Sequence, residues 1–248
     1  MQTEQVELIS MKPKMVIFDA GRTLLDYREI NILKGKEALM PYIIKNPKNL
    51  TAKELEKYDK ELFEFVNENH AKGFESQARL TLKLLYEMHQ IEFSIPIDEV
   101  ERIEWNEEAI IETIPHASEL LEQLNYLGIR TAVISNIDFS ASLLMERLNL
   151  LYPNNKFEFV IGSSDYGVRK PTKYIFDLGI SKSGLKAEDI WYVGDKVHVD
   201  VEGSKAVCMM PVLYMNERNT YDEIPKDTIV IDDLLKLLDY ISESMKSC

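Results

Sequence analysis

Four short stretches of the chain end in side chains that could bind or attack phosphorus. The apolar run Met15-Val16-Ile17-Phe18 leads into Asp19, and the run at 129–135 ends in Ser135-Asn136. The run at 190–195 ends in Gly194-Asp195, with Asp200 five residues further on, and Lys170 follows the run at 157–162, directly before Pro171. In an open parallel sheet, reactive groups gather beyond the carboxyl ends of the strands, so these residues form one set. Two or three carboxylates converging there repel one another unless a hard cation lies between them, and oxygen ligands suit Mg²⁺. A carboxylate can also attack phosphorus, giving an aspartyl-phosphate that water later hydrolyses. Ser135, Asn136 and Lys170 are then placed to hold the non-bridging oxygens, with Lys170 offsetting the charge between phosphate and Asp19.

The elements that must position these groups can be read from the hydrophobic pattern. β-Branched or aromatic runs at 15–18, 129–135, 157–162, 190–195 and 211–215 are each followed by a turn and a stretch of helical period, and 228–231 adds a short edge strand. Their near-continuous hydrophobicity predicts parallel strands covered on both faces. Helices are expected at 117–127, closed by Gly128, at 139–148, at 199–207, and in a segment opened by Pro171, since proline suits a first helical turn. Between about Tyr27 and Thr113 the rhythm breaks, with no convincing strand and four amphipathic helical stretches at 29–45, from Thr51, at 76–90 and at 98–112. Thr51 and Glu54 form a capping box, and Leu55, Tyr58, Leu62, Phe65 and Val66 then fall on one face. The expected organisation is an α/β core at 13–27 and 113–248, a helical insertion at 28–112 and an N-terminal extension at 1–12.

Composition narrows the partners. Forty-two acidic against 29 basic side chains give a formal charge of −13, which disfavours nucleic-acid binding through a broad basic face. Cys208 and Cys248 have no metal-ligand spacing, which points to a reducing cytoplasm. The first twelve residues lack the apolar stretch of a signal peptide, and nothing later reaches membrane-spanning length. A cytoplasmic monomer or homodimer is expected. His70, His89 and His116 have no partner at metal spacing and read as surface or boundary residues, and Trp105 and Trp191 as packing.

The run from Val16 to Asp26 resembles the first motif of the haloacid dehalogenase-like (HAD) hydrolases. Val133-Ile134-Ser135-Asn136 is similar to their second motif, Lys170-Pro171 to the third, and Val193-Gly194-Asp195 through Asp200 to the fourth. The resemblance implies a Rossmann-like core with strand order 5-4-1-2-3 and a C1-type helical cap. It also implies Asp19 as nucleophile and metal ligand, Asp195 as a second ligand, and Asp200 as a ligand or as the group orienting a metal-bound water. The Gly21 carbonyl would face the metal, while Thr23, Ser135, Asn136 and Lys170 would position the phosphoryl group and the nucleophile.

One position departs from the pattern. Phosphatases of this family carry a second aspartate two residues after the nucleophile as general acid and base, and this chain has Gly21 there. Such help is worth ~10²- to 10⁴-fold in rate. Three readings follow: an Mg²⁺-dependent phosphatase of a small phosphorylated substrate, attenuated or with a borrowed proton donor; a 2-haloacid dehalogenase; or a low-activity binding or regulatory protein. Against the second, dehalogenases of the family need no Mg²⁺ and use an arginine early in the cap region, whereas no arginine lies between Arg28 and Arg79. Asp26 and His198 are the nearest substitute proton donors in sequence, though a turn and a helix start account for them better.

Overall fold

Each apolar run read as a core strand is one. The computed structural model of the chain describes residues 12–221 and 223–246, so the N-terminal extension, apart from residue 12, and Cys248 lie outside the described residues. The strands in chain order are β1 (Met15–Phe18), β2 (Leu25–Ile30), β3 (Ile43–Lys45), β4 (Glu92–Phe93), β5 (Ala109–Thr113), β6 (Arg130–Ser135), β7 (Phe157–Gly162), β8 (Ile190–Gly194), β9 (Met210–Tyr214) and β10 (Ile229–Ile231). Six of them form one sheet in the order β10-β9-β8-β1-β6-β7, and every pairing in it is parallel. Leaving out the edge strand β10, this is the expected 5-4-1-2-3 arrangement.

Strand β1 lies at the centre. Phe18 is in register with Val133 on one side and Val193 on the other. Val16 and Phe18 pack into an apolar cluster on one face, while Met15 and Ile17 pack with Phe176 and Tyr192 on the other. Both faces are therefore buried, which is why the strand shows no polar alternation. Because the strands are parallel, Asp19, Ser135 and Asp195 all emerge at the same edge.

Four helices, α1 (Ile32–Leu39), α2 (Ala52–Asn67), α3 (Ala78–Met88) and α4 (Ile97–Glu108), form the insertion. They enclose a separate apolar cluster containing Leu39, Leu55, Leu82, Leu85, Tyr86 and Val100. The Thr51–Glu54 capping box is present at the start of α2. Phe65, however, is 68% exposed and does not share the buried face of Leu55.

The stretch between Tyr27 and Thr113 does contain strands, contrary to expectation. β2 and β5 pair antiparallel into a two-stranded ribbon, and β3 pairs with β4. The ribbon carries a bulge between Tyr27 and Glu29, and β2 is buried only at its start, so no period-2 pattern survives in the sequence. β5 follows α4 directly, and its apolar residues extend a helical pattern that in fact stops at Glu108. Pro171 is also displaced from its expected place. It follows Lys170 through a cis peptide bond, and Thr172 is the N-cap of the helix Lys173–Ser183.

The insertion meets the core at two places. One is the ribbon; the other is the stretch before α3, where Glu75 N–H donates to Gly167 O (3.0 Å), Arg169 N–H to Gly73 O (3.0 Å) and Ala78 N–H to Asp138 O (2.9 Å). The buried Glu75 carboxylate accepts from Ser163 Oγ at 2.6 Å and pairs with His70 at 2.8 Å and Arg169 at 3.4 Å. Tyr152 pins the foot of the ribbon: its buried hydroxyl donates to Leu24 O and accepts from Ile114 N–H at 3.3 Å. Ile114 N–H also donates to Leu24 O at 3.2 Å, so the two backbone groups keep each other when the hydroxyl is removed; Tyr152→Phe should therefore lower stability by about 0.5–1.5 kcal/mol, read as a lower urea midpoint with an unchanged slope.

Candidate active site

Asp19 is held by the sheet itself, because its N–H donates to Val193 O at 2.8 Å and so extends the β1–β8 ladder by one residue. The chain then folds back at once: the amides of Leu24 and Leu25 both donate to Ala20 O, at 2.9 and 2.8 Å. That turn buries Thr23 completely and leaves its Oγ1 without a hydrogen-bond partner. At the end of β8, Gly194 is required by close approach, since a Cβ there would lie 2.4 Å from the Asp200 side chain.

Lys170 joins the cluster. Its buried ammonium donates to Asp19 Oδ1 (2.7 Å), Asp200 Oδ1 (2.7 Å) and the Tyr192 hydroxyl (2.9 Å), which uses all three of its protons. Burial works against the charge, but Asp19 and Asp200 outweigh it and hold the ammonium well above the usual lysine range. Tyr192 in turn donates to Ile134 O at 2.9 Å.

Asp19, Asp195 and Asp200 are all buried, with ligand oxygens within 4.8 Å of one another. Burial, followed by the charge of Asp19, pushes the Asp195 carboxyl up. Asp200 is pushed to about 6 by burial, with Lys170 acting the other way and Asp19 adding to the rise. The donor set fits a hard cation: Asp195 Oδ1 is buried with no hydrogen-bond partner, and Asp19 Oδ2 has none among the described residues. Asp200 is more fully engaged, since Oδ1 accepts from Lys170 and Oδ2 from Lys196 N–H at 3.0 Å.

Among the remaining sequence candidates, Ser135 ends β6 and is buried at the wall of a cavity. Asn136 is occupied otherwise than expected. Its Nδ2 donates to Lys170 O (3.0 Å) and its Oδ1 accepts from Lys170 N–H (2.8 Å), so the amide clamps the lysine backbone. Asp26 lies in β2, paired with Arg218 (2.7 Å) and Arg28 (3.0 Å), and His198 is exposed beside Glu202. Neither lines the cavity.

Several neighbours carry no sequence signal that singles them out. Asn219 Nδ2 donates to Asp195 Oδ2 at 2.5 Å and Asn216 Nδ2 to the same oxygen at 3.3 Å, both from the loop after β9. Tyr192 could have been noticed as one hydroxyl in an otherwise apolar strand.

The cavity, about 440 Å³, lies over Gly21, Ser135 and Asn136 and is roofed by the insertion. Tyr27, Phe63, Leu82, Trp105, Ile137 and Phe139 supply its apolar wall, and Trp105 stacks on Phe139 at 5.1 Å. The charged residues lining it are all acidic: Asp59, Glu104, Glu108 and Asp138. Lys36, buried behind the wall, pairs with Asp59 at 2.8 Å and with Glu104.

The family model for haloacid dehalogenase-like hydrolases matches residues 16–213. The chain belongs to the HAD family. Among curated proteins it is 30% identical to the glyceraldehyde 3-phosphate phosphatase of Methanocaldococcus jannaschii, over 56% of this chain and 60% of that protein. A glyceraldehyde 3-phosphate phosphatase from Methanothermobacter thermautotrophicus is 27% identical over 90% of this chain and 97% of its own length. The ribulose-1,5-bisphosphate 5-phosphatase of Halopiger xanaduensis is 30% identical over 41% of each chain. This chain thus spans about three-fifths of the first of these proteins and two-fifths of the last. Solved HAD structures share the fold. A 2-haloacid dehalogenase from Pseudomonas syringae superposes with a TM-score of 0.62 at 18% identity, covering 94% of this chain and 98% of its own. A HAD phosphatase from Thermococcus onnurineus gives 0.60 at 17%, covering 94% and 99%. Fold alone therefore does not separate the two chemistries, and the decision rests on the side chains of the HAD site.

One of those side chains bears on stability. Burial first, then Glu104, push the Glu108 carboxyl to about 8, against the pull of Lys36. Its folded value lies above the ordinary 4.5, so the folded chain holds this proton more tightly, and stability is lost as pH rises through about 8. Glu108→Gln should therefore raise Tm relative to the parent above that pH, with the difference vanishing below 4.5 in a pH series of melting curves.

Proposed function

We propose that this chain is an Mg²⁺-dependent phosphatase acting on a small phosphorylated substrate through an aspartyl-phosphate on Asp19. The observation that carries the reading is the buried Asp19–Lys170–Asp195–Asp200 cluster, with the Asp195 Oδ1 lone pairs left unpartnered. Asp19, Asp195 and the Gly21 carbonyl would hold the ion, with Asp200 as a further ligand or through a water; bound there, it would neutralise the carboxylates and polarise the phosphoryl oxygens. A metal-free dehalogenase would have no use for a third buried carboxylate at Asp195, whose burial is unfavourable without a counter-charge.

The residues then divide the work. Asp19 attacks phosphorus with the oxygen not held by Lys170. Lys170 fixes the Asp19 carboxylate and sets a positive charge beside the transferring group, and Asn136 holds the Lys170 backbone in place. Ser135 at the cavity wall binds a non-bridging oxygen. Thr23, whose Oγ1 is buried and unpartnered, has a hydroxyl free to take its family role toward the phosphoryl group. Residues 28–112 act as the cap and exclude water while the bond breaks. The division is a core at 13–27 and 113–248 under that cap, and the exposed free thiol of Cys208 suits a cytoplasmic setting.

The remainder of the substrate lies in the cavity. With an apolar wall and only acidic charged groups lining it, the cavity favours a monophosphate whose other part is uncharged; a second phosphate would face carboxylates. Glyceraldehyde 3-phosphate, the substrate in the names of two relatives, carries a single phosphate.

Phosphate release from monophosphate esters should require Mg²⁺ and fall on the order of 10⁴-fold in Asp19→Asn. Halide release from 2-haloacids, measured in parallel without metal, should be absent; its presence would replace this reading with the dehalogenase one.

A further inference from the structure

Gly21 leaves the HAD site without its usual proton donor, and the structure offers another acid in the same cavity. Glu108 is the last residue of α4, where the insertion rejoins the ribbon, and it lines the cavity together with Gly21, Ser135 and Tyr27. The helix end is anchored there, since Asn31 N–H donates to Glu108 O at 2.7 Å. No hydrogen bond or ion pair engages the Glu108 carboxyl among the described residues. The other acids of the wall are committed: Glu104 and Asp59 to Lys36, and Asp138 to the backbone amides of itself and Phe139.

Geometry places the leaving group on this side. In phosphoryl transfer the attacking and leaving oxygens lie roughly in line, so a bond broken by attack from Asp19 sends its leaving oxygen away from the buried cluster and into the cavity. An acid serving that oxygen must face the cavity, be free of other partners and carry its proton near neutral pH. We propose that the Glu108 carboxyl is the general acid of this enzyme, donating its proton to the leaving oxygen in place of the aspartate absent at position 21. The proposal rests on the phosphatase reading above.

The step balances. Asp19 forms its bond to phosphorus as the P–O bond to the alcohol breaks, and the Glu108 proton passes to that oxygen, releasing neutral alcohol and leaving a Glu108 carboxylate. When water attacks the aspartyl-phosphate, the carboxylate takes the proton from the water, so that inorganic phosphate and free Asp19 form and Glu108 is reset.

The protonation state fits the role. Burial is the largest influence raising Glu108 to about 8, joined by Glu104 on its own helix, Asp138 on the loop after β6 and Asp59 on α2, while Lys36 on α1 opposes them. Tyr27, also in the cavity wall beside Gly21, is pushed well above the usual phenol range by burial and by the charges of Asp138 and Asp19, which makes it the weaker acid.

The test compares two esters of similar size in the full chain with Mg²⁺. 4-Nitrophenyl phosphate releases an anion stable without a proton, whereas 2-phenylethyl phosphate releases an alkoxide that needs one. Glu108→Gln should lower kcat/KM for the phenylethyl ester ~10²- to 10⁴-fold and lower that of the nitrophenyl ester far less, since kcat/KM reports the step up to release of the alcohol, while kcat falls for both through the shared water step. In the parent chain, kcat/KM for the phenylethyl ester should fall as pH rises through about 8, and the variant should lose that fall. Equal losses of kcat/KM on both esters, or a fall at the same pH that persists in the variant, would overturn the assignment. A parent chain that cleaves neither ester refutes the phosphatase reading instead, and Glu108 then has no leaving group to serve.

Discussion

Three carboxylates meet at the edge of this sheet largely shielded from water, and the Lys170 ammonium is the counter-charge that lets them do so. Burying one ionised carboxylate unpaired is costly enough that the group would take up a proton instead. Lys170 is the cationic partner of Asp19 and Asp200, donating to both at 2.7 Å. Much of the surrounding structure follows from holding one lysine. Asn136 clamps its backbone from the end of β6, Tyr192 takes its third proton from β8, and Gly194 makes room for the Asp200 carboxylate to reach it. Asp195 lies outside Lys170's reach and is held by Asn219 and Asn216 on one oxygen only. Three carboxylates against one ammonium leave the cluster short of positive charge, and Asp195 Oδ1 is the buried oxygen that has no partner.

How much of this was legible in the sequence depended on whether a residue's position follows from local pattern. Asp19, Ser135 and Asp195 were readable because strands buried on both faces announce themselves as unbroken apolar runs, and a parallel sheet then delivers their ends to one edge. Lys170 was readable less directly, from its place after the third core strand and before Pro171 and from the family resemblance, since its residue type alone does not distinguish it from a solvated lysine. The ribbon β2–β5 was missed because it is a half-buried, bulged pair joining residues as far apart as Leu25 and Thr113, and β5 abuts a helix whose period it continues. The loop after β9 was missed for a similar reason: Asn216 and Asn219 matter only because the sheet order sets β9 beside β8.

Asn136 shows how a correct position can carry a different task. Sequence order put it beside Ser135 at a strand end, where either side chain could face a phosphoryl oxygen. The amide, however, has one donor face and one acceptor face, which match the carbonyl and N–H of a single residue, and Lys170 presents both. A hydroxyl can bridge the same two groups, as Ser163 Oγ does for Ile137. The task of Asn136 therefore follows from the location of its partner, which the sequence does not contain.

The loss of an aspartate at position 21 need not disable the site, because the cavity wall is built from two parts of the chain. Gly21 belongs to the core turn, and a Cβ there would meet only the Tyr27 ring at 3.8 Å, so the glycine is not demanded by crowding. Opposite it, α4 brings Glu104 and Glu108 to the same space, where burial first and then the neighbouring Glu104 raise the Glu108 carboxyl against the pull of Lys36. Lys36 pairs with Glu104 and leaves Glu108 without a cation partner. Acid function can move from the core to the insertion in this way as long as the two remain docked, and the ribbon and the Glu75 contacts hold them together on both sides of the cavity.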